Sequence, residues 1–108
     1  MSIQDKIQSQ IDSHPIVVYM KGTKDFPMCG FSASVVETFK SMDVPFETIN
    51  ILEDEDLRSG IKEYSNWPTI PQIFIGGEFV GGCDIIKDMH EAGELQEMID
   101  GLKEAGKI

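Results

Sequence analysis

Residues 16–34 read IVVYMKGTKDFPMCGFSAS: a β-branched apolar run, a polar loop, a cysteine and the start of a helical pattern. The run from Ile16 to Met20 has the character of a buried strand. From Ser32 onward, Val35, Val36, Phe39 and Met42 fall on one face of a helix. Cys29 therefore stands between the carboxyl end of a strand and the first turn of a helix, where unpaired N–H groups and the helix dipole favour an anion. A thiol in such a place has its pKa drawn down from about 8.5, which makes the sulfur both a nucleophile and a soft metal ligand. Lys21 and Lys24, on the same loop, would add to that field, and Gly30 lets a ligand approach the backbone. A Cys-x-x-Cys pair in this position would carry dithiol exchange, but Cys29 is followed by Gly30, Phe31 and Ser32. The resolving sulfur is missing, and Ser32 reads as a helix-start residue.

Outward from this stretch the chain alternates. Ser2 and Asp5 resemble a capping box before Ile3, Ile7 and Ile11, which predicts a helix over 2–13 ended by Pro15. After a turn at 43–45, FETINI (46–51) alternates as a strand. The acidic run at 53–56 precedes Leu57, Ile61 and Tyr64 and reads as the solvated, well-capped start of a helix. TIPQIFIGGEFVGG (69–82) predicts a hairpin with Gly76-Gly77 as a primed two-residue turn. Two helical patterns, 84–91 and 94–104, follow on either side of Gly93. The order predicts an α/β protein with a small mixed sheet of four strands flanked by helices on both faces. Its first strand–helix–strand unit should cross over right-handedly into a parallel pair, and its last two strands should be antiparallel.

With 108 residues, no repeat and no linker, 1–108 is expected to be one domain. Nineteen acidic against nine basic residues give a charge of −10, which disfavours nucleic acid and anionic membrane surfaces as partners. Two cysteines make no disulfide framework, and neither a leader nor an apolar run of about 20 residues is seen, so a soluble protein of a reducing compartment, the cytoplasm, is expected. Met20, Met42 and Met98 lie on apolar stripes and read as core. His14 and His90 have no partner spacing for a metal.

The segments KGTKDFPMCGFS and NWPTIPQIFIGGEFVGGCD, several separated motifs in order, resemble the monothiol glutaredoxins, the CGFS class of the thioredoxin-like superfamily, over Ile16 to Leu102. The resemblance implies the thioredoxin-like fold and a glutathione site. It assigns Lys21 and Arg58, the only arginine, to the glycyl carboxylate, contacts suited to charge-assisted or bidentate hydrogen bonds. Thr69-Ile70-Pro71 matches the Thr-Val-Pro motif, which implies a cis bond at Pro71 and backbone pairing of Ile70 with the cysteinyl part of glutathione. Gly81-Gly82-Cys83-Asp84 matches the Gly-Gly-x-Asp turn, with the N–H groups of Cys83 and Asp84 taking the γ-glutamyl carboxylate and the Asp84 side chain its ammonium. Phe31 and Gly82 would complete the site. On structural grounds alone, Asp84 is an N-cap and Trp67 a half-buried core residue; with the resemblance, Trp67-Pro68 borders the site.

Two functions follow. A [2Fe-2S] cluster needs four thiolates and one chain offers a single exposed sulfur of lowered pKa, so Cys29 of two chains and two glutathiones would complete the set. The resemblance implies a homodimer bridged by the cluster, or a mixed dimer with a BolA-like protein, passing clusters to iron-sulfur apo-protein clients in iron homeostasis. Cys29 and Cys83 of two chains also total four sulfurs; the resemblance favours glutathione. The alternative is a glutathione-dependent thiol-disulfide oxidoreductase acting by a monothiol route, whose activity the missing second cysteine and the longer loop would keep weak.

Overall fold

The computed structural model describes residues 2–108; Met1, the first position of the expected 1–108 domain, lies outside the described residues. The elements occur in the expected order. Helix α1 (Ile3–Asp12) starts with the Ser2 hydroxyl accepting the Asp5 N–H at 3.1 Å. Strand β1 (Ile16–Met20), helix α2 (Gly30–Ser41), strand β2 (Glu47–Asn50), a short 3-10 turn (Ile51–Glu53) and helix α3 (Glu55–Ser65) follow. Strands β3 (Gln72–Ile75) and β4 (Glu78–Gly81) form the hairpin, and α4 (Cys83–Glu91) and α5 (Glu94–Glu104) close the chain.

The sheet runs β2-β1-β3-β4, with β1 and β2 parallel and the other two pairs antiparallel. Every residue of β1 is buried, and the period of two sends them to opposite faces. Ile16, Val18 and Met20 pack with Val35, Val36 and Phe39 of α2, Ile86 of α4 and Leu95, Ile99 and Leu102 of α5. Val17 and Tyr19 pack with Ile7 and Ile11 of α1 and Leu57 and Ile61 of α3. Two apolar layers thus cover one sheet, the thioredoxin-like arrangement that the resemblance implies. Met20 lies inside the first layer and Met42 and Met98 pack against it, as their stripes predicted.

Several boundaries differ from expectation for identifiable reasons. The predicted strand over 46–51 is shorter because the Asn50 side chain accepts the Leu52 N–H at 3.0 Å and turns the chain into the 3-10 segment. Helix α2 begins at Gly30, ahead of its apolar stripe, which leaves Cys29 at the N-cap position. In the acidic run it is Asp54 that caps α3, accepting the Leu57 N–H at 3.1 Å and pairing with Lys6 at 3.2 Å. That N–H first, and then Lys6, hold the Asp54 carboxyl below its ordinary range. Gly82, not Asp84, is the N-cap of α4, so Asp84 lies inside the first turn. At the hairpin, Gly76 and Gly77 have φ of 62° and 85°, the positive pair that a primed turn requires.

Candidate functional site

The carboxyl end of β1, the first turns of α2 and α4, one side of α3 and the loop over 67–71 surround a cleft of about 510 Å³. The nine residues assigned to the glutathione site line it: Lys21, Cys29 and Phe31 on one wall, Arg58, Ile70 and Pro71 on the next, Gly82, Cys83 and Asp84 on the third; Lys24 and Gly30 do not. Lys62 and Ile85 also line it, and neither was expected. Helical spacing carries the signal for Lys62, which lies four residues after Arg58 and hence on the same face of α3.

The loop after β1 is shaped by its own backbone and braced from outside. Thr23 and Phe26 exchange backbone hydrogen bonds at 3.2 and 3.1 Å, and the Met28 N–H reaches the Lys21 carbonyl at 2.9 Å. At the base of this turn Gly22 has φ of +93°, and a Cβ there would stand 2.4 Å from the Phe26 carbonyl oxygen, so only glycine fits. Two consecutive N–H groups are held by side chains from other elements. Lys21 donates to the Ser32 hydroxyl at 3.2 Å, and Gly22 donates to the Asn50 carboxamide oxygen at 3.0 Å. Ser32 is therefore more than a helix-start residue: it is 0 % exposed and faces the loop.

Lys24 departs from expectation. Its ammonium donates to the Phe46 carbonyl at 2.6 Å and sits 4.4 Å from the centroid of the Phe46 ring, so it braces the loop, and Lys21 is the cation that lowers the Cys29 pKa. The loop's reversal between Thr23 and Phe26 turns Lys24 away, which adjacency in sequence does not reveal.

The thiol of Cys29 is held below its ordinary pKa, chiefly by the backbone N–H of Ser32. Partial burial opposes this, and the Phe31 N–H, the Lys21 ammonium and the Ser32 hydroxyl add to the lowering. The first turn of α2 is thus an anion site aimed at sulfur, as the position of Cys29 predicted. Cys29 and Cys83 are both free thiols of intermediate exposure on the same cleft.

Opposite Cys29, Arg58 and Lys62 place two cations one helical turn apart, and Lys21 adds a third. The cleft concentrates positive charge in a chain whose balance is −10, so an anionic ligand is drawn to this one region. At the far end α4 starts without a capping side chain, leaving the N–H groups of its first turn free of intrahelical partners beside the Asp84 carboxylate. Between these ends the Ile70–Pro71 bond is cis, as the resemblance implied. Gln72, which the sequence reading passed over, is 0 % exposed and donates to the Trp67 and Thr69 carbonyls at 2.9 and 3.2 Å, bracing the 67–71 loop from behind. Trp67 meets both of its readings: its ring packs on Phe79 with centroids 5.7 Å apart, and it borders the cleft.

Around the mouth Phe26, Met28 and Phe31 are 78, 71 and 62 % exposed, a concentration of apolar surface that the chain shows at this edge. Among the described residues no group of three or more His, Cys, Asp or Glu side chains is arranged to hold a metal ion by itself. No described helix is long and apolar enough to cross a membrane.

The glutaredoxin family model matches residues 16–80. The chain is 56 % identical over 98 residues to the chloroplastic monothiol glutaredoxin-S14 of Arabidopsis thaliana, covering 91 % of this chain and 57 % of that one. It therefore spans little more than half the length of that plant protein, and 54 % of the chloroplastic monothiol glutaredoxin-S7 of Oryza sativa. A Synechocystis monothiol glutaredoxin is 50 % identical, with 88 % of this chain and 89 % of its own covered. Among solved structures, reduced apo GrxS14 from poplar superposes with a TM-score of 0.82 at 54 % identity, covering 92 and 91 % of the two chains. A buckwheat glutaredoxin–glutathione complex superposes with a TM-score of 0.82 at 29 % identity, covering 98 and 92 %. With the CGFS motif at the head of α2 and a cis proline facing it across the cleft, the chain belongs to the glutaredoxin family, in its monothiol CGFS class.

Proposed function

We propose that the cleft binds glutathione and that Cys29 and glutathione together carry a [2Fe-2S] cluster between two subunits. The observation that supports this most directly is the charge layout around one accessible, acid-shifted thiol. Glutathione has a carboxylate at one end and a carboxylate with an ammonium at the other. Lys21, Arg58 and Lys62 suit the glycyl carboxylate, the Ile70 backbone suits the cysteinyl unit, and the first turn of α4 with Asp84 suits the γ-glutamyl end. Phe31, Pro71, Gly82 and Cys83 form the surrounding walls. The buckwheat relative is described as a glutathione complex, which supports the same use of this cleft.

The cluster is the protein's cargo. One chain brings a single thiolate of the right character, and a [2Fe-2S] unit takes four, so two Cys29 sulfurs and two glutathione sulfurs complete it. The exposed side chains of Phe26, Met28 and Phe31, close to Cys29 in the chain, would be covered by the second subunit, whether a copy of this chain or a BolA-like partner. From there clusters pass to iron-sulfur apo-proteins, in a reducing compartment such as the cytoplasm, where Cys29 stays a thiol. Anaerobic reconstitution of two variants tests the ligand set. Cys29→Ser should stay colourless and Cys83→Ser should assemble the cluster; loss of the visible absorbance in Cys83→Ser would instead make Cys83 a ligand.

The accessible thiolate also supports a second, weaker activity. The Cys29 sulfur attacks a glutathionylated substrate, expelling the substrate thiolate and forming a Cys29–glutathione disulfide. A second glutathione thiolate then takes the bound glutathione as glutathione disulfide and restores the Cys29 thiolate.

A further inference from the structure

The CGFS motif raises the question of what the serine does in the place of a resolving cysteine, and its surroundings answer it. Ser32 sits in the first turn of α2 with no exposed surface. Its hydroxyl is the acceptor for the Lys21 N–H, at 3.2 Å, eleven residues back along the chain and at the end of β1. That N–H has left the strand ladder, whose last paired residue is Met20, so without Ser32 it would be a poorly accessible donor with no partner. The neighbouring Gly22 N–H is held in the same manner by Asn50, so Lys21 on the cleft wall and Gly22 next to it are fixed by one side chain from α2 and one from β2.

We propose that Ser32 is a positioning residue whose buried hydroxyl ties the main chain of Lys21 to the first turn of α2, holding the Lys21 ammonium and the Cys29 sulfur in one frame. This rests on the reading that the cleft binds glutathione. A hydroxyl suits the task because it accepts a hydrogen bond and still has a proton to donate, and its lone proton is available to the neighbouring sulfur. A thiol at position 32 is a weak acceptor and a weak donor, so Ser32→Cys would loosen the Lys21 wall while adding the second sulfur. In this frame the monothiol motif keeps serine for the sake of the lysine.

The test compares wild type with Ser32→Ala, Ser32→Thr and Ser32→Cys, and with Ser34→Ala as a control on the same helix. Two quantities are measured on the reduced protein: the affinity for reduced glutathione, by NMR titration, and the midpoint of the Cys29 thiolate titration, by ultraviolet absorbance. Ser32→Ala should weaken glutathione binding by about fivefold to tenfold, the scale of one lost buried hydrogen bond, and should raise the thiolate midpoint. Ser34→Ala should leave both unchanged. A general loss of stability would lower the unfolding temperature without moving the thiolate midpoint of the folded protein. Wild-type values of both quantities in a folded Ser32→Ala protein would overturn the proposal. If Ser32→Ala does not fold, the contrast between Ser32→Thr, which keeps the hydroxyl and should keep the affinity, and Ser32→Cys, which should lose it, decides the matter; equal affinities would overturn it. If wild type binds no glutathione, the glutathione reading fails, and the thiolate midpoint still tests the role of Ser32.

Discussion

Two loops at opposite ends of the sheet show how differently a turn can be specified. The hairpin turn at Gly76-Gly77 is held by backbone groups: both residues take positive φ, the Gly76 N–H donates to the Pro15 carbonyl at 2.8 Å, and a Cβ added at Gly77 would meet nothing within 4 Å. The loop over 21–28 is also tight, but it is held by side chains of α2 and β2 and by the segment leading into β2, through Ser32, Asn50 and the carbonyl of Phe46 that receives Lys24. One loop only reverses the chain. The other presents a cation, an acid-shifted thiol and exposed apolar side chains in fixed relation, and its bracing reflects that task.

The contrast is testable, beginning where the expected effect is largest. Cys29→Ser should abolish cluster assembly and thiol chemistry altogether while leaving the unfolding temperature of the reduced protein near wild type, because Cys29 belongs to neither apolar layer. Gly22→Ala should destabilise by about 3 kcal/mol in urea unfolding, since positive φ and a close carbonyl act together, and should lose glutathione binding as well. Arg58→Ala and Lys62→Ala should each weaken glutathione binding by about tenfold with little change in stability, as expected for charge-assisted contacts outside the core.

A smaller effect is the pH dependence of Cys29. Its folded pKa lies below the unfolded value, so the thiolate's contribution to stability is fully present above the unfolded pKa and is lost as pH falls through the folded one. The difference in unfolding temperature between wild type and Cys29→Ser should therefore grow, in favour of wild type, as pH rises through that window. Lys21→Ala should narrow it by removing one of the stabilising charges. A difference that shrinks with rising pH would contradict the assignment of Cys29 as an anion held by the helix start. Smallest of all, Gly77→Ala should cost about 1 kcal/mol and leave glutathione binding untouched. A Gly77→Ala protein with impaired binding would break the separation between the two loops.

What was legible in the sequence followed the same division. Strands and helices announced themselves through the continuous apolar run of β1 and the stripes of α1, α2 and α3, because burial decides which residues stand there. The primed turn was equally plain, being written in two adjacent glycines. The cleft residues were read from the motifs that resemble the glutaredoxins. What escaped was polar bracing of main-chain groups by side chains. Ser32 and Asn50 serve N–H groups 11 and 28 residues away, and Gln72 serves carbonyls of the loop just before it; no hydrophobic pattern marks such a partner. Lys24 was misread for the converse reason, since a residue near Cys29 in sequence is carried away by a turn whose hydrogen bonds are only seen in three dimensions. Lys62 was recoverable from its spacing to Arg58, a pattern that an acidic chain with few cations makes worth counting.

The central claim, that one chain supplies one sulfur and glutathione supplies the missing partner, is tested most directly by anaerobic reconstitution with iron and sulfide, with and without glutathione, followed by visible absorbance and sizing. The account predicts a coloured species of two chains that forms only when glutathione is present. A colourless monomer with brisk glutathione-dependent disulfide reduction, or a cluster that assembles equally well without glutathione, would contradict it.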